Sequence, residues 1–285
     1  MSLIRVQPIG SFEDPRLNPY RTMRDQDGHL GNGVFVAEGE KVVRRLLQSP
    51  HPVISVLLPT ERVGRFDEWI AARPEEAIDV FVAPKEVLNQ LTGYHLYQGV
   101  LALGGVPAPS PLEHLLALPR PHLFAAMDSL ASAENVGLVL RNAAALGVQA
   151  LILDGNCSHP YLRRSVRICM GTVFKMPYFR GSDLPTTLAQ LRSHGIQCLA
   201  AHPHTDEIQL PDADLTRDTC IVLGSEGNGL RPEVLAACDG RVVVPMQQGV
   251  DSLNVGNAAA VFFYEAWRQR RSHPHPHSPP PPLHS

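Results

Sequence analysis

Short apolar runs alternate with amphipathic segments along most of the chain, a pattern that only layers of strands and helices can bury. Four apolar runs before residue 106 have the length and composition of buried strands: VFVAEG (34–39), VISVLLP (53–59), IDVFVAP (78–84) and QGVLALGG (98–105). Helical patterns lie between them at 40–49, 65–73 and 85–93. Strands that alternate with helices predict a small α/β layer domain.

The same alternation restarts after a segment with five prolines in sixteen residues, 106–121, which has the composition of a linker. Six further runs are candidate strands: 122–128, 149–155, 174–179, 197–202, 220–224 and 241–246. Five segments are candidate helices: 135–146, 159–170, 184–194, 230–238 and 253–270. We therefore predict a second α/β domain with a mainly parallel sheet.

The remaining segments complete the predicted domain organisation. Residues 1–32 have no sustained period and are predicted to form an extended arm, followed by domains at 33–105 and 122–271. The tail, 272–285, holds six prolines and four histidines and is predicted to be disordered. Histidines spaced by proline with no acidic partner are a weak ligand set, so no metal site is expected there.

Charge and cysteine content exclude several classes of protein. The 25 basic and 28 acidic residues exclude a strongly basic nucleic-acid coat, but they allow an enzyme with a local basic patch. No apolar run approaches the ~20 residues of a membrane span, and no signal-peptide core is present, so a cytoplasmic protein is expected. Five cysteines without a CxxC pair argue against a zinc site and a disulfide framework, and are expected to be reduced.

Three polar clusters follow predicted strands, at the strand ends where open α/β sheets bind ligands. In SAENVGLVLRNAAALGV (132–148), Asn135 occupies a predicted helix N-cap and Arg141 lies off the apolar stripe. Alone, this segment is more typical of a capped surface helix with a solvated arginine than of a functional site. In VPMQQGVDSLNV (244–255), Asp251 or Ser252 is a candidate cap of the last helix.

The glycine-rich cluster, LGSEGNGL (223–230), lies between a predicted strand and a predicted helix. It matches neither GxGxxG nor the GxxxxGK[ST] phosphate loop, and Glu226 in its centre would repel a pyrophosphate. A nucleotide held by backbone groups, without a phosphate to bind, is the ligand this loop favours. An ordinary tight strand-to-helix turn is the alternative.

Together, NVGLVLR (135–141), LGSEGNGL and VPMQQGVDSLNV resemble, in order and spacing, the three motifs of the SpoU/TrmH family of RNA ribose 2′-O-methyltransferases. The resemblance covers roughly 120–271. FVAEGEKVVRRLL (35–47) and YQGVLAL (97–103) are similar to the RNA substrate-binding α/β sandwich domain that often precedes it. The resemblance implies a SPOUT-type α/β domain with a deep trefoil knot, an RNA substrate and the cofactor S-adenosylmethionine.

The resemblance also implies roles for individual residues. The implied cofactor contacts are Leu223, Gly224, Val244, Met246 and Leu253, and the implied catalytic residues are Asn135, Arg141, Glu226, Ser252 and Asn254. The family assigns proton removal from the ribose hydroxyl to the arginine, activated by the serine. Because an arginine with a pKa above ~12 rarely loses its proton, we expect Arg141 instead to bind the adjacent phosphate and stabilise the developing alkoxide. The two asparagines would orient the ribose and the arginine, and Glu226 would pair with Arg141 or order its loop.

Three further sequence features concern RNA binding, the oligomeric state and the start of the last helix. Arg163, Arg164, Arg167 and Lys175 have no acidic residue between them and form a candidate RNA-binding patch, although a solvated helix face has the same pattern. The last helix is apolar over much of its circumference, which with the family resemblance predicts a homodimer through the C-terminal domain. Gly256–Asn257 depart from the family pattern after SLNV and are expected to weaken the start of that helix.

The sequence thus predicts an S-adenosylmethionine-dependent RNA methyltransferase acting on a ribose 2′-hydroxyl, with ribosomal RNA favoured by the two-domain layout. A transfer-RNA ribose methyltransferase and a catalytically inactive RNA-binding protein on the same scaffold are the alternatives. A nucleotide-dependent dehydrogenase or hydrolase is disfavoured, because the glycine fingerprint after the first strand is missing.

Overall fold

The computed structural model describes residues 2–23, 25–92 and 99–272, which form two compact units. The first unit contains the described residues of Met1–Pro109, together with Ser132–Arg141 and Ser158–Met176. The second contains Ser110–Ala131, Asn142–Cys157 and the described residues from Pro177 onward. The predicted Pro/His-rich tail beyond Ser272, and the first two residues of YQGVLAL, lie outside the described residues.

The first unit is built on a five-stranded mixed sheet. Its strands are β1 Leu3–Pro8, β2 Val34–Glu38, β3 Val53–Pro59, β4 Ala77–Ala83 and β5 Leu101–Gly105, in the spatial order β1-β4-β3-β5-β2. Strand β5 is antiparallel to both of its neighbours, whereas β4 is parallel to both of its own. The helices of the N-terminal stretch are α1 Asn18–Arg21, α2 Gln26–Gly31, α3 Glu40–Leu47, α4 Asp67–Ala71 and α5 Lys85–Thr92.

Residues 1–32 contain more regular structure than the predicted extended arm. Strand β1 pairs in parallel with β4, from Leu3 opposite Ala77 to Pro8 opposite Val82, and two short helices follow it. A six-residue edge strand with a mostly exposed face has too little apolar periodicity to be recognised locally. Its conformation depends on pairing with a strand about seventy residues further along the chain.

The second unit is built on a seven-stranded sheet in which every described strand pair is parallel. Its strands are β6 Leu123–Met127, β7 Ala150–Asp154, β8 Tyr178–Gly181, β9 Gln197–Ala201, β10 Ile208–Gln209, β11 Thr219–Leu223 and β12 Gly240–Val243. The remaining helices of the chain are α6 Leu112–Leu116, α7 Ala133–Ala145, α8 Arg163–Ile168, α9 Leu184–Ser193, α10 Pro232–Ala236 and α11 Val255–Ser272. This sheet agrees with the predicted mainly parallel α/β domain.

The spatial order of the strands is β10-β12-β9-β11-β6-β7-β8, so later strands are added on both sides of β6. From β6 the chain builds outward through β7 and β8, and it then crosses to the other side to add β9, β11 and β12. Because all these strands are parallel, their carboxyl ends share one edge of the sheet. A reversal of this kind leaves a crevice at that edge, which is where such sheets bind ligands.

Two segments differ from the predicted pattern. The Pro-rich stretch 106–121 contains α6, whose Leu112 and Leu115 are buried in the core beside the strands and α9. Two leucines three residues apart could bury one face of a single turn, but only the surrounding core stabilises so short a helix. Strand β8 begins at Tyr178 rather than residue 174, because Thr172–Lys175 forms a 3₁₀ turn.

The five cysteines are unpaired, as expected, and four of them are buried. Burial raises the pKa of the Cys157 thiol to about 11 and that of Cys238 to about 12, so both stay protonated at neutral pH. No helix within residues 2–23, 25–92 and 99–272 combines the length and apolar character needed to cross a lipid bilayer.

Candidate active site

A cavity of about 350 Å³ opens in the second unit at the carboxyl ends of β9, β11 and β12. Its walls come from the residues that follow these three strands and from the first two turns of α11. The cavity contains all five predicted cofactor contacts, Leu223, Gly224, Val244, Met246 and Leu253. It also contains Glu226 and Ser252, two of the five predicted catalytic residues.

The lining determines which ligands the cavity suits. Apolar side chains such as Val242, Val255 and Phe262 form much of the wall, and Glu226 contributes a carboxylate. No lysine or arginine is among the described lining residues. A phosphate group would meet a negative charge with nothing to neutralise it, so a flat, partly apolar ligand without phosphate fits better.

The glycine-rich loop, residues 224–230, closes on itself. The backbone N–H groups of Ser225 and Gly229 each donate to the other residue's carbonyl, at 3.0 and 2.9 Å, and Gly229 has a left-handed φ of 67°. A Cβ atom on Gly224 would lie 2.4 Å from the carbonyl carbon of Gly229. The sequence favoured a nucleotide held by the backbone of this loop, and the structure shows in addition that glycine is needed at 224 for the loop to fold back upon itself.

Asn254 connects this loop to the last helix. Its side-chain oxygen accepts the backbone N–H of Gly256 at 2.8 Å, and its carbonyl accepts that of Ala258 at 2.9 Å. Asn254 is therefore the N-cap of α11, and the candidates Asp251 and Ser252 were wrong. The Asn254 amide donates to the Glu226 carboxylate, which supports the loop-ordering alternative for that acid.

The departure from the family pattern at Gly256–Asn257 does not prevent the helix from starting at Val255. Gly256 is buried, and its carbonyl accepts the side-chain amide of Asn142 at 2.8 Å. The cap from Asn254 and this bond from α7 both fix the first turn. The helix start is thus stabilised by contacts between sequence-distant residues, which offset the low helix propensity of glycine.

A buried ion-pair cluster fixes the other end of the glycine-rich loop. The Arg231 Nε donates to Asp128 at 2.7 Å, its Nη2 donates to Asp154 at 2.8 Å, and its backbone N–H donates to Asp128 at 2.8 Å. Both carboxylates are fully buried, directly after β6 and at the end of β7. Sequence reasoning did not select these three residues, although an acid at the end of two neighbouring strands was a visible signal.

The start of α7 lies in the first unit and differs from prediction in one respect. The Ser132 hydroxyl accepts the Asn135 N–H at 3.3 Å, and its carbonyl accepts the Val136 N–H at 3.0 Å. Ser132 therefore occupies the N-cap position, and the buried Asn135 lies within the first turn. The predicted cap was shifted by three residues because serine and asparagine favour this position equally.

Gly137 and Arg141 lie further along α7. A Cβ on Gly137 would lie 2.9 Å from the Ile168 Cβ, so glycine allows α7 and α8 to pack closely. Arg141 is exposed, and its side chain forms no hydrogen bond or ion pair within the part of the chain that the structure describes. Its guanidinium is available for a ligand.

The predicted RNA-binding patch is partly neutralised by acids that are distant in sequence. Glu38, with a side chain only 4% exposed, pairs with Arg163 at 2.8 Å and with Arg167 at 3.2 Å. Arg164 pairs with Glu134. Lys175 is exposed. The run of basic residues therefore carries less unpaired charge than its sequence suggests.

No group of three or more His, Cys, Asp or Glu side chains among the described residues could hold a metal ion.

Two family models match the chain. The model of the SpoU rRNA Methylase family matches residues 122–264, and the model for RNA 2′-O ribose methyltransferase substrate binding matches residues 36–104. The first match contains all three motifs with their polar residues.

Individual relatives agree with these models. A protein of Mycobacterium tuberculosis, named as an uncharacterized tRNA/rRNA methyltransferase, is 35% identical over 94% of this chain and 93% of its own length. The 23S rRNA (guanosine-2′-O-)-methyltransferase RlmB of Acinetobacter baylyi is 32% identical over 77% of this chain and 95% of its own. The SpoU methyltransferase AviRb of Streptomyces viridochromogenes, solved in complex with AdoMet, superposes with a TM-score of 0.78 at 25% identity, covering 91% of this chain and 100% of AviRb.

Proposed function

Because the chain belongs to the SpoU rRNA methylase family, we propose that it transfers a methyl group from S-adenosylmethionine to a ribose 2′-hydroxyl of RNA. The observation that carries the proposal is the cavity at the carboxyl ends of β9, β11 and β12, which is lined by all five residues predicted to contact the cofactor. Ribosomal RNA is the favoured substrate, since the relative RlmB acts on 23S rRNA. Transfer RNA is the alternative, because the name of the mycobacterial relative includes both classes.

The cavity suits S-adenosylmethionine in size and chemistry. Its volume, about 350 Å³, is at the small end of the range for ligand pockets. Leu223, Val244, Met246 and Leu253 would pack on the adenosine, with the backbone at Gly224 beside it. When bound, this cofactor supplies a methyl group already activated by a positively charged sulfur, and the Glu226 carboxylate is complementary to that charge.

Arg141 is assigned the main electrostatic role. An exposed guanidinium with no partner among the described residues can bind the phosphate next to the target ribose and stabilise negative charge on the 2′-oxygen. The proposed role is that of a fixed cation and not of a base. Asn135 and Asn254 are proposed to orient the arginine and the ribose, with Ser252 at the cavity wall and Glu226 ordering the loop.

RNA binding is proposed to involve Arg163, Arg164, Arg167 and Lys175. Phosphate groups would compete with Glu38 and Glu134 for the arginines, so this contact should be sensitive to salt. A cytoplasmic location is proposed with this function, since the RNA substrates are found there.

The proposal includes two features of the family fold. The loops 223–229 and 244–254 and the start of α11 are proposed to thread into a deep trefoil knot, which the bond from Asn254 to Glu226 and that from Asn142 to Gly256 support. We also propose a homodimer through the C-terminal domain, because α11 exposes Val261 and Tyr264.

The activity is tested by incubating the protein with radiolabelled S-adenosylmethionine and total RNA, followed by mapping of ribose methylation. Label in ribosomal RNA at a 2′-oxygen is the expected result. Label in transfer RNA would select the alternative substrate. RNA binding without any transfer would favour a catalytically inactive RNA-binding protein.

The role of Arg141 is tested with Arg141→Ala. We expect methyl transfer to fall by at least about 100-fold, because a transition-state charge loses its partner, while cofactor affinity stays nearly constant. Isothermal titration measures that affinity, and Arg217→Ala, another exposed arginine of the described chain, is the matched control. An equal loss of cofactor binding in Arg141→Ala would contradict this division of roles.

A further inference from the structure

His202 follows β9 directly and lines the same cavity as the predicted cofactor contacts. Its backbone N–H donates to the Val242 carbonyl at 3.0 Å, which fixes the residue to β12. The side chain is half-buried. His202 was not among the residues selected from the sequence, and none of the three motifs contains it.

The hydrogen bonding of the ring determines where its proton lies. The Nδ1 atom is 3.2 Å from the backbone nitrogen of His204, which can only donate, so Nδ1 is the acceptor and carries no proton. In the neutral ring the proton is then on Nε2, which has no hydrogen-bond partner among the described residues. The neutral His202 ring therefore keeps one unused donor, Nε2, and a second proton on Nδ1 would break the bond to His204.

The charged groups around His202 come from three segments. Arg241 of β12 pairs with Glu207, Nε to Oε1 at 3.5 Å, and His204 lies beside the ring at 6.3 Å between centroids. Glu226 lines the same cavity from the glycine-rich loop. Burial first, then Arg241 and His204, lower the pKa of His202 below its ordinary value, although Glu207 acts in the opposite direction.

We propose that His202 is a cofactor-binding residue whose neutral ring, with its proton on Nε2, donates to the ligand, and that the protonated ring excludes cationic ligands from the cavity. The inference rests on the proposed function. S-adenosylmethionine carries a positive sulfur, whereas the product S-adenosylhomocysteine lacks it. A second positive charge in so small a cavity therefore weakens binding of the substrate form more than that of the product form.

The test is isothermal titration of the full chain with each of the two ligands between pH 5 and pH 8.5. For the unmodified protein we expect S-adenosylmethionine affinity to fall as pH falls, with a slope approaching about tenfold per unit below the pKa of His202. The slope for S-adenosylhomocysteine should be shallower. His202→Gln keeps a donor but does not titrate, so both slopes should become nearly flat, with affinity at pH 8 within about threefold of the original.

Two further variants separate His202 from other histidines. His194→Gln changes a histidine that does not line the cavity and should keep the original pH dependence. His204→Gln changes the other histidine that lines the cavity, and it should keep most of the pH dependence because the proposal assigns the titration to His202. Loss of the slope in His204→Gln but not in His202→Gln, or equal slopes for the two ligands, would overturn the inference. Failure of both ligands to bind at pH 8 would instead contradict the proposed function.

Discussion

Gly224 and Gly227 lie three residues apart in one loop, but only Gly224 lacks room for a side chain. A Cβ on Gly224 would contact the backbone of Gly229 and Leu230 at 2.4 to 2.6 Å, whereas a Cβ on Gly227 would have no atom within 4 Å. We expect Gly224→Ala to cost about 1–3 kcal/mol of unfolding free energy and to weaken cofactor binding, because the loop must move. Urea denaturation and isothermal titration measure the two effects.

Gly227→Ala is the matched control and should remain close to the unmodified protein in both measurements. Equal tolerance of alanine at the two positions would show that the loop does not need the close approach at Gly224.

His51 gives a prediction for the pH dependence of stability in the first unit. Its Nε2 lies 3.0 Å from the Tyr161 hydroxyl, and its ring packs edge-on against Tyr161 and Phe174. Burial lowers the pKa of His51. The unfolded chain therefore binds the extra proton first as pH falls, so the contribution of His51 to stability is fully present above about pH 6.5 and is lost as pH falls through the folded pKa.

The expected result is that unfolding free energy declines less between pH 6.5 and pH 5 in His51→Gln than in the unmodified protein. Glutamine keeps a polar group near the Tyr161 hydroxyl but does not titrate. Urea denaturation at several pH values measures the difference, and an unchanged pH profile in the variant would show that His51 does not titrate differently on folding.

One guanidinium joins the ends of β6 and β7 to the glycine-rich loop. Asp128 and Asp154 have no exposed area, and Arg231 is the described cation paired with both. Arg231→Ala should cost about 3 kcal/mol of unfolding free energy, because it leaves two buried carboxylates unpaired. This cost is at the lower end of the usual range for breaking a buried ion pair, because the Arg231 side chain is 33% exposed.

Arg241→Ala is the comparison for Arg231→Ala, since Arg241 pairs with Glu207 at the surface. Loss of the ion pair between Arg241 and Glu207 should cost less than about 1 kcal/mol of unfolding free energy. If the two variants lose equal stability in urea denaturation, the cluster around Arg231 does not anchor the loop in the way its geometry indicates.

Helix α11 is held at both ends by contacts with residues outside the helix. Asn254 caps its start, and Arg270 near its end donates to the carbonyls of Pro121, His122, Leu215 and Arg217 at 2.7 to 3.0 Å. Burial lowers the pKa of Arg270 to about 10, so it stays charged at neutral pH. The end of the helix that lines the cavity is thus attached to the residues that precede β6 and β11.

The proposed homodimer can be tested on the exposed face of α11. Val261 is 38% exposed and Tyr264 is 52% exposed. Changing both to Glu should convert the dimer to a monomer, because two carboxylates cannot be buried unpaired in an apolar interface. Light scattering coupled to size-exclusion chromatography measures the mass.

Ile54→Glu is the control for this pair of substitutions, because Ile54 is 45% exposed on β3 of the first unit. It should leave the mass unchanged. A monomeric unmodified protein, or a dimer that persists in the Val261→Glu, Tyr264→Glu variant, would contradict an interface on this helix face.

Much of the fold was predictable from local sequence. The alternation of strand and helix patterns placed β2 through β5 within three residues at each end, and it predicted the parallel sheet of the second unit. The family resemblance of the three motifs is confirmed by the matching family model and by the relatives. Assignments of caps were less successful, because Ser132 and Asn254 each have neighbours that could cap a helix equally well.

Local patterns in the chain were enough to predict the α/β class, and the three motifs predicted the family and several of the residues that line the cavity. Periodicity and short motifs are local properties of a chain, so they can be recognised without its fold. The folded structure was needed to show which acids pair with Arg163 and Arg231, that residues 3–8 form an edge strand, and that His202 lines the cavity. Each of these depends on residues far apart in sequence, whose meeting is fixed by strand order and packing. Local patterns carry no information about such pairings.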